Sequence, residues 1–138
     1  MAAKLVAVGD SGVGKTSIIE RIKSNQFKEY PTTISNQNST IFIKVDSNDV
    51  KINICDTAGQ EAYQSLAPIY ARNADITFLV FDLTKEKTML SLEYWFEMMV
   101  EVNADNIIYL VGCKSDLVEN SKSREVTPES AREFIETL

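Results

Sequence analysis

Three short stretches of this 138-residue chain set glycine, hydroxyl and charged residues at spacings that suit phosphate chemistry. The first, "GDSGVGKT" (9–16), fits G-x-x-x-x-G-K-[ST] through Gly9, Gly14, Lys15 and Thr16. It follows an apolar run and opens a segment that reads as a helix, which is the setting the motif requires. Glycines let the backbone curl so that its N–H groups face phosphate oxygens, and a helix N-terminus adds partial positive charge. There Lys15 reaches β- and γ-phosphates and the Thr16 hydroxyl can ligate Mg2+, with Ser11, Gly12, Val13 and Ser17 completing the binding loop. Glycine-rich turns between strand and helix also occur without ligands. Strand, helix and Lys-Thr together point instead to a nucleoside triphosphate, with ATP and GTP both open.

The second stretch, "ICDTAGQE", carries Asp56 at a strand end, then Gly59 and Gln60. A carboxylate there can hold a magnesium-bound water, a glycine amide can meet a γ-phosphate, and a glutamine can orient an attacking water. Alone, D-x-x-G marks any strand-to-turn transition; this far beyond a phosphate loop, and followed by glutamine, it is far more telling. The third stretch is "LVGCKSDL" (110–117), an apolar run that ends on Cys113, Lys114 and Asp116.

These residues need a scaffold, and the apolar pattern supplies one. "KLVAVG" (4–9), "DITFLVF" (75–81) and "IIYLVG" (107–112) are apolar on both faces, as in a parallel sheet covered by helices on both sides. Ile41, Ile43 and Val45 alternate with polar residues, as do Val50, Ile52 and Ile54, which predicts an antiparallel hairpin turning at Ser47, Asn48 and Asp49. One helix follows Gly14, and another is predicted over 86–103, where Met89, Leu92, Trp95, Phe96, Met99 and Val102 form a core stripe. Thr127-Pro128-Glu129 reads as a helix start. The predicted order is β-α-β-β-α-β-α-β-α, an α/β fold with one antiparallel strand.

Composition narrows the chemistry. Hydrophobic residues make up 44% of the chain, enough for one domain with a real core. The net charge is −6 and no basic stripe is present, which argues against nucleic acid as a partner. The absence of histidine excludes catalytic triads and His-ligated zinc. Cys55 and Cys113 are read as buried or half-buried free thiols in a reducing compartment. No signal-peptide pattern or membrane-spanning run is present, so the expectation is a soluble, cytoplasmic protein.

"GDSGVGKT", "DTAGQE" and "KSD", in this order, resemble the Ras-like small GTPases, and "SLAPIYARNAD" (65–75) resembles the second switch of the Rab branch. The resemblance runs from about Lys4 to Leu138. It implies a P-loop G domain that binds GTP and GDP with Mg2+ and hydrolyses GTP slowly in vesicle-trafficking regulation, peripheral to vesicle membranes. It implies Thr33, with Thr32 adjacent as the alternative, as the first-switch threonine on Mg2+ and the γ-phosphate, and Phe27 as the aromatic on the guanine edge. Residues 26–36 and 57–73 become the moving parts. Lys114 and Asp116, with Leu117 beside them, match the guanine-reading Asn-Lys-x-Asp motif. Asp116 would accept hydrogen bonds from the guanine ring N–H and amine, a pattern adenine cannot supply, and the Lys114 stem would cover the base. No arginine is placed as an internal finger, so an activating protein and an exchange factor are expected.

Departures from the family are equally specific. Cys113 stands where the family has asparagine, a weak substitute as donor and acceptor. The stretch from Phe27 to Thr33 is one residue shorter than usual, Ser35 replaces a glycine and Ala62 an arginine. Asn38 and Cys55 replace the phenylalanine and tryptophan of the Rab effector patch, while Tyr70 keeps its third aromatic, so the effectors are unknown. The last strand, the Ser-Ala-Lys loop, the last helix and a prenylated cysteine tail have no counterpart before Leu138. The expectation is an incomplete G domain over 1–138, with strand 107–112 an exposed edge and a second domain or a second copy covering it. The contrasting expectation is a nucleotide-binding interaction module that scarcely cycles. A metabolite kinase sharing the phosphate loop would explain neither Gln60 nor Asp116.

Overall fold

The computed structural model describes residues 2–25, 37–56, 67–118 and 123–138. In chain order the elements are β1 (Ala2–Val8), α1 (Lys15–Ser24), β2 (Gln37–Val45), β3 (Asn48–Asp56), α2 (Ala67–Ala71), β4 (Ile76–Asp82), α3 (Glu86–Leu90), α4 (Leu92–Val102), β5 (Ile107–Cys113) and α5 (Pro128–Thr137). The sheet runs β2-β3-β1-β4-β5, parallel except where β2 pairs with β3. This is the expected α/β architecture with one antiparallel strand.

The two-sided apolar runs have the predicted cause. From β1, Leu5 and Ala7 face one side and pack with Val13 and Ile19 of the α1 region and with Val50, Ile52 and Ile54. Val6 and Val8 face the other, packing with Ala71, Met89, Leu92, Trp95, Met99 and Phe134. Among the described residues α1 therefore packs on the first face and α2 to α5 on the second. Burying such side chains contributes roughly 1.5–3 kcal/mol each, and the two core layers fix the sheet that carries the site.

Two local predictions need correction. The helix predicted over 86–103 is broken at Ser91 into α3 and α4; the Ser91 hydroxyl donates to the Lys87 carbonyl (2.9 Å), a local bond that competes with helix continuation. The hairpin turns at Asp46 and Ser47, both with positive φ (49° and 69°), not at 47–49. Pairing Ile41 with Ile52 and Ile43 with Val50 keeps the apolar residues on one face and leaves two residues for a tight turn. The α5 start is as read: Thr127 accepts from Ser130 N–H (3.1 Å), Thr127 N–H donates to the Ser130 hydroxyl (3.0 Å), and Pro128 opens the helix.

Among the described residues β5 is a sheet edge, as expected. On the α1 side of the sheet Ile107 and Tyr109 are more than half exposed, and Phe78 meets Tyr109 edge-on at 6.1 Å.

Candidate functional site

The described candidate residues gather at one end of the sheet. Gly9 follows β1, Asp56 closes β3, and Cys113 closes β5. Carboxyl ends of parallel strands form the crevice in which such sheets hold ligands.

The phosphate loop is pressed against the sheet. A side chain on Gly9 (φ 147°) would put Cβ 2.3 Å from the Val80 carbonyl oxygen, so only glycine fits. Val13 turns inward into the core and can offer a ligand only its backbone, while Ser11 and Gly12 are exposed and Ser17 is half-buried on the first turn of α1. Gly14 (φ 115°) is the N-cap of α1, and a Cβ there would lie 3.0 Å from Cys113 Cβ and 3.2 Å from its Sγ. The first and third motifs, nearly 100 residues apart in sequence, are thus in contact through Gly14 and Cys113.

Lys15 is 5% exposed, and its Nζ donates to the carbonyls of Gly9 (3.0 Å) and Asp10 (2.7 Å). Burial pulls this ammonium from 10.5 to about 8, although Asp56, Asp10 and Cys113 oppose the fall. A cation held against two carbonyls at the start of a helix is poised for an arriving anion.

Asp56 is 4% exposed; its Oδ2 accepts from the Thr16 hydroxyl at 2.5 Å. Its other oxygen, Oδ1, is buried and has no hydrogen-bond partner among the described residues. Burial raises this carboxyl above its ordinary value against the opposing effect of Thr16 and Lys15. A carboxylate oxygen left over beside a hydroxyl fits Mg2+, which needs only one or two protein oxygens when phosphates supply the others.

At the far end of the crevice Lys114, in the left-handed region (φ 70°), extends Nζ to Asp82 Oδ2 at 2.9 Å. Asp116 lies exposed in a 3-10 turn over Ser115–Val118, fixed by the Leu117 N–H donating to the Lys114 carbonyl (3.0 Å); Leu117 is itself exposed. Cys55 and Cys113 are free, and burial pushes both thiols up to about 11, so each is neutral at pH 7. Asn38 and Cys55 face each other across β2 and β3 and line a cavity of about 260 Å3 with Lys4, Ser39, Thr40, Asn53 and Ile54. Phe27, Thr32, Thr33, Ser35, Gly59, Gln60 and Ala62, and the side chain of Tyr70, lie outside the described residues.

Sequence reasoning missed Asp82. It closes β4 with a carboxylate that accepts from Thr84 N–H (2.8 Å), the Thr84 hydroxyl (2.6 Å) and Lys114. The available signal was an aspartate ending an apolar run with threonine two residues on, the pattern of a side-chain-closed turn.

A strand–loop–helix unit of the P-loop type, a carboxylate at the end of the neighbouring strand β3 and a Lys-x-Asp turn after β5 lie together at one end of the sheet. The chain belongs to the Ras family, whose model matches residues 4–138. It is 42% identical over 135 residues to Ras-related protein Rab-25 of Bos taurus, covering 96% of this chain and 62% of that protein. It is 40% identical over 138 residues to GTP-binding protein YPT52 of Saccharomyces cerevisiae, covering 92% of this chain and 59% of that one. Ras-related protein Rab-11A of Dictyostelium discoideum is 42% identical over 136 residues, with 96% and 62% covered. The chain therefore spans about three fifths of the length of these relatives. Among the described residues no helix is long and apolar enough to cross a membrane.

Proposed function

We propose that the chain is a Rab-type guanine-nucleotide switch that binds GTP and GDP and hydrolyses GTP slowly. The observation that carries this reading is the contact of Cys113 with Gly14, which joins a triphosphate site to a Lys-x-Asp turn in one crevice. The GTP-binding relative and the Rab relatives support the choice of guanine.

In this reading the loop of Ser11 to Gly14 and the first turn of α1 hold the phosphates by backbone N–H groups, with Lys15 bridging the β- and γ-phosphates. Thr16, Asp56 and Thr33 would hold Mg2+, which would supply positive charge against the phosphate oxygens. Gly59 marks the γ-phosphate, Gln60 orients the attacking water, and Lys15 stabilises charge developing on the phosphate oxygens. Asp116 reads guanine, and Lys114 and Phe27 flank the base. Turnover without an arginine from an activating protein stays near the intrinsic scale of about 10⁻⁴ per second, and an exchange factor reloads GTP. The cellular role is regulation of vesicle traffic from the cytoplasmic face of the membrane.

Single-turnover hydrolysis of GTP by the purified chain and by Gln60→Leu tests the proposal. Slow, Gln60-dependent hydrolysis is expected. Turnover near 1 per second or faster would remove the need for an activating partner, and tight GTP binding with no hydrolysis would favour a nucleotide-binding interaction module.

A further inference from the structure

We infer that Asp82 is a positioning residue of the nucleotide site: it holds Lys114 in place against the base and so sets nucleotide affinity without choosing the base. This rests on the guanine-nucleotide reading above.

Asp82 is 1% exposed, and every part of it is tied down. Its carboxylate accepts from Thr84 N–H, the Thr84 hydroxyl and Lys114 Nζ. Its own N–H donates to Thr88 Oγ1 (2.9 Å), and the next residue, Leu83, donates its N–H to the Cys113 carbonyl (3.1 Å). Asp82 and Cys113 are register partners across β4 and β5. The carboxylate therefore cannot follow a moving lysine; the lysine must come to it. Burial alone would raise this carboxyl, but the Thr84 and Lys114 hydrogen bonds outweigh it and hold it below the usual carboxylate range, so it is charged at pH 7.

Lys114 has a left-handed backbone that residues other than glycine rarely adopt, and a four-carbon stem with many rotamers. An ion pair to a fixed, buried carboxylate selects one arrangement of that stem before any ligand arrives. The selection matters in this chain because the neighbouring Cys113 offers the base only a neutral, weakly bonding thiol. The hold on the base then falls to Lys114 and Asp116. Asp82 bonds to Lys114 and Thr84, whereas base identity is read at Asp116, so its effect is common to different purines.

The test is a double-mutant cycle on the full chain, titrating GDP and inosine diphosphate, which lacks the guanine amine, into wild type, Asp82→Asn, Lys114→Met and the double variant. Asp82→Asn is expected to weaken both nucleotides by a common factor of about ten, and by less than about twofold in the Lys114→Met background. The loss of Tm from the weakened Thr84 turn should persist in both backgrounds, which separates positioning from folding. An equal affinity loss with and without Lys114, or unequal losses for the two nucleotides, would overturn the inference. If Asp82→Asn does not fold, Thr84→Val, which removes one of the bonds that fix the Asp82 carboxylate, carries the test: a loss shared by both nucleotides and absent in the Lys114→Met background supports the inference, and an equal loss in both backgrounds, or none, overturns it. Wild type that binds GDP beside an unaffected Asp82→Asn removes this inference alone, whereas wild type that binds no guanine nucleotide removes the proposed function as well.

Discussion

Because Lys15 carries a depressed pKa in the loop proposed to hold phosphates, nucleotide binding should take up a proton. In the ligand-free chain burial holds Lys15 at about 8, so roughly half of it is neutral at pH 8 and about a tenth at pH 7. Phosphates beside the ammonium favour its charged form and would raise its pKa back toward the ordinary value. Binding should therefore take up about half a proton at pH 8, and affinity should fall about fourfold between pH 7 and pH 8.5. The same shift acts on stability. The unfolded chain keeps its proton up to about 10.5, so between 8 and 10.5 it binds more protons than the folded chain. Ligand-free stability thus rises with pH through that window, by about 3 kcal/mol at most. Calorimetric titration of GDP in buffers of different ionisation enthalpy measures the uptake directly. Repeating it in Asp56→Asn removes the contribution of the raised Asp56 carboxyl, and Lys15→Met should abolish the effect. No proton uptake at pH 8 and a flat affinity to pH 8.5 would refute this account of Lys15.

Further consequences follow from single contacts. Cys113→Asn, which restores a full donor and acceptor beside Gly14, should raise GDP affinity by about 1–3 kcal/mol while leaving the preference for GDP over inosine diphosphate unchanged; a titration without a gain contradicts it. Asp56→Asn should stabilise the ligand-free chain by on the order of 1 kcal/mol, read as a higher Tm, by removing a buried charge with an unpartnered oxygen. The same variant should lose the Mg2+ dependence of nucleotide binding. Since the folded Asp56 carboxyl is raised, its contribution to ligand-free stability falls as pH rises through the carboxylate range, and this slope should vanish in Asp56→Asn. Gly9→Ala, with a Cβ 2.3 Å from the Val80 carbonyl oxygen, should cost about 3 kcal/mol or more in denaturant unfolding. Gly12→Ala, with open space around it but a φ of 77°, should cost about 1–2 kcal/mol.

The sheet was legible because its signal is local and redundant: two-sided apolar runs for β1, β4 and β5, and alternation for β2 and β3. The phosphate loop was legible for the same reason, since its glycines, lysine and threonine act within eight residues. What escaped depends on partners distant in sequence or on subtle competition. Asp82 acquires its role from Lys114, thirty-two positions away, and no spacing within "FDLT" announces that partner. Ser91 breaks a helix whose apolar stripe continues across it, because a single hydroxyl bond leaves no trace in periodicity. The hairpin turn starts one residue and ends two residues earlier than read, because Ser47, Asn48 and Asp49 all favour turns and only the cross-strand register decides between them. The meeting of Cys113 with Gly14 could be read from neither motif alone.

The central claim is that one crevice binds guanine nucleotide by its phosphates and its base. Its most direct test is a titration of fluorescent GDP into the purified chain with Mg2+, with unlabelled GDP and ATP as competitors. Saturable binding displaced by GDP and not by ATP at the same concentration is the predicted result. Equal displacement by ATP, or no binding at all, would contradict it.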